Sequence, residues 1–88
     1  MPKAKKKRVK GARAAGRYAD RLAKLGKRIK ELRKKRGYDS ALDFALDKNI
    51  SVTQMARWET GKKNITFESQ CLLADAFGMT LSELLEGI

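Results

Sequence analysis

Apolar positions recur at helical spacing in five separate segments of the chain, and most of those segments carry their own start or stop signal. In residues 18–36, Tyr18, Leu22, Leu25, Ile29 and Leu32 step by three or four, a narrow apolar stripe in a basic field. Gly26 falls inside this stripe at a cost of about 1 kcal/mol relative to Ala, so a frayed turn or bend before it is expected. Residues 40–48 form a second segment, with Ser40 as N-cap, Asp43 three residues later, and Leu42, Phe44, Ala45 and Leu46 as apolar surface. The third, 51–61, opens with the capping-box pattern Ser51 and Gln54, has Ile50 and Met55 where a hydrophobic staple closes, and stops at Gly61. Thr66 caps a fourth segment that ends at Gly78, with Phe67, Cys71, Ala74 and Phe77 on its core side and Leu72 at the surface. Thr80 and Glu83 make another capping box before a short last helix, 81–86, whose entry Met79 and Leu84 staple.

The third segment has two unlike faces. At 3.6 residues per turn Met55 and Trp58 share one side, while Val52, Thr53, Ala56, Arg57 and Thr60 fall on the other. Small, hydroxyl and guanidinium groups suit close approach to base edges: Arg forks onto guanine, Gln onto adenine, and Val or Thr methyls meet the thymine methyl. The bland alternative is an ordinary amphipathic helix with one solvated face. What precedes it favours the first reading, because Asn49 is the residue other than Gly that best tolerates the left-handed turn between two packed helices. Helix, short turn and capped helix over about 40–60 make a helix-turn-helix, whose second member enters the DNA major groove.

Further residues carry a resemblance. The run Leu25-Gly26-Lys27-Arg28-Ile29-Lys30-Glu31-Leu32-Arg33-Lys34-Lys35-Arg36-Gly37 is followed by Phe44-Ala45, Ile50-Ser51 and Glu59-Thr60-Gly61-Lys62. Leu73-Ala74-Asp75-Ala76-Phe77-Gly78 and Leu81-Ser82-Glu83-Leu84-Leu85 complete the set. Together, in register over about 25–86, they resemble the Cro and phage-repressor type (Xre-like) of helix-turn-helix domain. The resemblance implies an all-α, compact five-helix domain over 18–88 that binds double-stranded DNA, commonly as a homodimer on a near-palindromic site. It implies that Arg33 and Glu59 pair, tying the first helix to the end of the recognition helix, and that only the part of the first helix from about Leu25 packs on the core. Tyr18 and Leu22 are then surplus apolar surface. It also makes the apolar set Leu81, Leu84, Leu85 and Ile88 a candidate dimer contact. Two departures stand out: the link Gly37-Tyr38-Asp39-Ser40 is one residue longer than usual, and the family's common Gln at the start of the second helix is Ala41 here.

On this reading Val52, Thr53 and Arg57 contact bases, with Gln54 and Ala56 beside them, and Gln54 has a competing use in capping. Ser51, Thr60, Lys62, Lys63 and Asn64 are the candidate phosphate contacts.

Charge sharpens the picture. The chain of 88 residues carries a net +11, unevenly: residues 1–17 hold eight Lys/Arg and no acid, 18–37 nine against two, and 38–88 four against eight. Segregated basic charge points to a polyanionic partner. In the acidic second half, Arg57, Lys62 and Lys63 lie on or just after the proposed recognition helix. Residues 1–17, with Lys5, Lys6, Lys7 and Arg8, have too little apolar content to fold alone and read as a mobile, disordered basic arm. Such an arm can track phosphates without adding sequence information, as arms of some phage repressors do by resemblance, or serve as a solubilising tail or a basic address motif.

Eighty-eight residues suffice for one small core. One Cys and no His exclude the usual zinc clusters and the Ser-His and Cys-His pairs of nucleophilic catalysis, so neither a metal, a cofactor nor an enzyme is expected. Cys71 reads as a buried, inert thiol. No apolar run approaches the length of a membrane span, and the basic N-terminus lacks a signal's apolar stretch, so a cytoplasmic, nucleoid-associated location is expected. The first functional expectation is a small, sequence-specific transcriptional regulator acting as a repressor. The alternatives are an antitoxin, which binds a partner toxin and autoregulates, and non-specific nucleic-acid binding through the arm.

Overall fold

The computed structural model describes residues 18–88, and the arm residues Lys5, Lys6, Lys7 and Arg8 lie outside it. Five helices follow one another: α1 (Ala19–Lys35), α2 (Ala41–Lys48), α3 (Val52–Thr60), α4 (Phe67–Phe77) and α5 (Leu81–Leu84). The described residues contain no strand. The caps read from the sequence form. Ser40, Ser51, Thr66 and Thr80 each accept a bond from the backbone amide three residues on, satisfying a donor that the first turn otherwise leaves free. Around Thr80 the reciprocal bond from its amide to Glu83 Oε1 is also made, at 2.8 Å.

Each helix contributes one fully buried large side chain to a single core: Ile29, Phe44, Met55, Leu73 and Leu84. Leu25, Leu32, Ile50, Trp58, Ile65 and Phe77 close around them. Tyr38 meets Phe44 edge-on at 5.0 Å between ring centroids, and Phe44 stacks on Phe77 at 4.9 Å, so aromatic contacts run from the α1–α2 link to the end of α4.

Several details differ from the sequence expectations. Leu42 and Leu46 are exposed (49% and 68%), because an eight-residue helix that seats Phe44 and Ala45 turns positions 42 and 46 to the opposite side. On α4 Ala74 and Phe77 lie in the core as expected, while Leu73 and half-buried Gln70 complete the stripe instead of Phe67 and Cys71. Phe67 lies in the first turn and is 68% exposed, while Ile65, just before the cap, turns inward in its place. The polar member of that stripe is satisfied: Gln70 Nε2 donates to Ile65 O at 3.0 Å. Cys71 is a free thiol and only half-buried. Leu22 is not surplus, since it packs against the core, whereas Tyr18 is exposed at the start of α1. In the last helix Leu84 is fully buried and Leu81, Leu85 and Ile88 are half-buried against the core, leaving less free apolar surface there than the sequence suggests.

Three arginines of the α1 region bind inward. Arg28 Nε donates to Leu84 O at 2.6 Å and Nη2 to Glu83 O at 2.5 Å, so a cation covers free carbonyls where α5 ends. Arg36 does the same for α4, with Nε and Nη2 on Phe77 O at 3.0 and 2.7 Å and its guanidinium 5.5 Å from the Phe77 ring centre. Arg33 turns to Glu59 of α3.

Candidate nucleic-acid interface

The start of α3 is set by the turn that precedes it. Asn49 takes the left-handed conformation (φ 57°, ψ 47°), the amide of Ile50 donates to Ala45 O at 2.8 Å, and the chain reverses within three residues. Ser51 Oγ then accepts from the Gln54 amide at 3.3 Å, and Met55 N donates to Ser51 O at 2.9 Å to close the first turn of α3. The second half of the expected capping box does not form here. Gln54 therefore keeps a free amide side chain, and its competing use in capping is removed.

Met55 is fully buried and Trp58 4% exposed, with Ile50 beside them in the core. Val52, Thr53, Gln54, Ala56, Arg57 and Thr60 are all exposed, as are Ser51, Lys62, Lys63 and Asn64. Two faces thus diverge from one helix: an apolar anchor and a free polar surface. Thr60 is less free than the rest, because its hydroxyl donates to Arg57 O at 2.8 Å and its one proton is already engaged. Ser51 only accepts in its cap and retains a proton for an external oxygen. Arg57 has no ion-pair partner among the described residues.

The one acid of α3 is neutralised. Arg33 Nε and Nη2 reach the two carboxylate oxygens of Glu59 at 2.7 and 3.1 Å, and Nη1 donates to Tyr38 O at 2.7 Å. The side chains of Arg33 and Glu59 are only 4% and 10% exposed. This forked pair joins α1, the α1–α2 link and α3, and it withdraws a carboxylate that would otherwise repel phosphate. In the same link the Tyr38 hydroxyl donates to Asp47, whose carboxylate pushes the phenol above its ordinary value of 10.0.

One feature of the seat was not legible in the sequence. A Cβ on Gly26 would lie 2.7 Å from Trp58 O and 2.8 Å from Glu59 O, and one on Gly61 would lie 2.8 Å from the Ala23 Cα. All of these are backbone atoms, so α1 and the exit of α3 touch through two glycines that admit no side chain. Gly26 is therefore a packing requirement, and α1 runs through it without interruption. The signal available in the sequence was its place in the stripe, next to Leu25 and three residues before Ile29.

With this geometry in hand, comparison with known proteins is specific. A helix-turn-helix family model of the Cro/C1 type matches residues 29–84. The chain is 38% identical over 65 residues to an HTH-type transcriptional regulator, DdrOP3, of Deinococcus deserti, a match covering 74% of this chain and 50% of that protein. The chain therefore spans about half the length of the curated relative. No solved structure matches it. No helix among the described residues is long and apolar enough to cross a membrane. The capped α3 on its apolar anchor, the matched span and the curated relative agree: the chain belongs to the Cro/C1-type (Xre-like) helix-turn-helix family.

Proposed function

We propose that this chain binds double-stranded DNA sequence-specifically as part of a transcriptional regulator acting as a repressor, with α3 in the major groove. The observation that carries the reading is the divided α3 helix. Met55 and Trp58 hold it from behind, while Val52, Thr53, Gln54, Ala56 and Arg57 stand free of internal partners on the exposed side. Arg57 supplies the strongest base contact by forking onto guanine, Gln54 reads adenine, and the Val52 and Thr53 methyls meet thymine. Ser51, Lys62, Lys63 and Asn64 flank these on phosphates and fix the register without reading sequence. Thr60 holds its hydroxyl proton on Arg57 O, so a phosphate contact there requires that bond to open.

Two copies acting together would read two half-sites. Selection of bound duplexes from a random pool at moderate salt tests both parts. The expected result is a conserved motif in two inverted halves spaced by about one helical turn. A bound pool without a motif would contradict sequence-specific reading, and a single unrepeated half-site would contradict the dimer.

A further inference from the structure

The cations of the α1 region divide into two kinds. Arg28, Arg33 and Arg36 are engaged on carbonyls or a carboxylate of other elements, as described above. Arg21, Lys24 and Lys35 are exposed and outside any ion pair among the described residues, and so are Lys27, Lys30 and Lys34. These three follow Ala23 at four, seven and eleven residues, and so share its side of the helix. That side is located by the glycine contacts. Ala23 and Leu22 lie against Gly61, and Gly26 lies against the carbonyls of Trp58 and Glu59, where the recognition helix ends and the Lys62–Lys63 loop begins.

From this placement we propose that Lys27, Lys30 and Lys34 form a second contact track for the DNA backbone, continuing the cations of Lys62 and Lys63 along α1 beyond the recognition helix. The nearest acid of α3, Glu59, is held by Arg33 and does not oppose a phosphate there. Of the acids of α1, Asp20 lies a turn or more before the three lysines, and Glu31 borders Lys27 and Lys34 on the edge turned further from α3, with no ion pair to either. The track carries no base-reading groups. Its effect is affinity and a longer footprint, equal for all sequences. The inference rests on the proposed docking of α3 in the major groove.

The test compares two double variants of equal charge, Lys27→Gln with Lys30→Gln and Arg21→Gln with Lys35→Gln, the latter pair exposed and turned away from the Ala23 side by helical phase. Affinity for a selected duplex and for a random-sequence duplex is measured over a range of salt, with thermal melts to verify folding. The near-side pair is expected to lower the slope of log affinity against log salt by about two. This weakens both duplexes alike, roughly tenfold per lysine between about 1 M and 0.1 M salt. The far-side pair should leave the slope unchanged. Equal slopes for the two variants, with selected over random discrimination intact in the parent chain, would overturn the α1 track and leave the α3 reading standing. A parent chain that does not discriminate between the duplexes would overturn both.

Discussion

Three arginines of the α1 region and the one arginine of α3 are used in opposite ways. Arg28, Arg33 and Arg36 are forked onto carbonyls or a carboxylate and tie α5, α3 and α4 to one helix. Arg57 stands in solvent with no ion-pair partner. The same planar, always charged group thus serves as an internal connector where acceptors are supplied, and as a free reading head where they are withheld. What distinguishes the two uses is which backbone ends and carboxylates the fold brings within reach, and residue type alone does not reveal it.

The comparison is broken most severely at the forked pair. Arg33→Ala leaves Glu59 nearly buried without its partner, and should destabilise by about 3–5 kcal/mol in chemical denaturation. Replacing Arg33 and Glu59 together by apolar residues of similar volume should cost much less, because no uncompensated charge remains. Next is the seat of α3. Gly26→Ala sets a methyl against two backbone carbonyls and should lower stability by about 1–3 kcal/mol, the reverse of the gain expected for Gly→Ala in an unobstructed helix. A smaller effect follows from removing a terminal connector: Arg28→Ala uncovers the carbonyls at the end of α5 and should lower stability by about 1 kcal/mol.

The smallest effect is a pH dependence. Folding raises the Tyr38 phenol above 10.0 through its bond to Asp47, so above that pH the unfolded chain loses the proton first. The contribution is complete below the ordinary value and fades as pH rises through the raised one. Compared with Tyr38→Phe at each pH, the parent chain should lose stability faster on the alkaline side. Parallel curves would contradict the assignment.

Legibility in the sequence follows the range of the interactions. The two faces of α3 and its start, its stop and the Asn49 turn were readable because each depends on residues within one or two turns. On α4, apolar residues surround the helix, since Phe67, Cys71, Leu72, Leu73, Ala74, Ala76 and Phe77 fit more than one phase. Periodicity therefore could not select Leu73 over Phe67. The inward arginines and the Gly26–Gly61 contact depend on residues tens of positions apart, and in a linear string they look like solvated charge and a weak point. The Arg33–Glu59 pair, equally long in range, was reached only through the family resemblance.

The central proposal, that the free side of α3 reads bases, is tested most directly by Arg57→Ala. Its affinity for a selected duplex and for a random one, at fixed salt, is set against the same ratio for Lys63→Ala. The account predicts that Arg57→Ala loses about 1–3 kcal/mol of discrimination at the guanine it contacts, with thermal stability nearly unchanged, while Lys63→Ala weakens both duplexes equally. An Arg57→Ala variant that weakens both duplexes by one common factor would make Arg57 a phosphate ligand and contradict the reading.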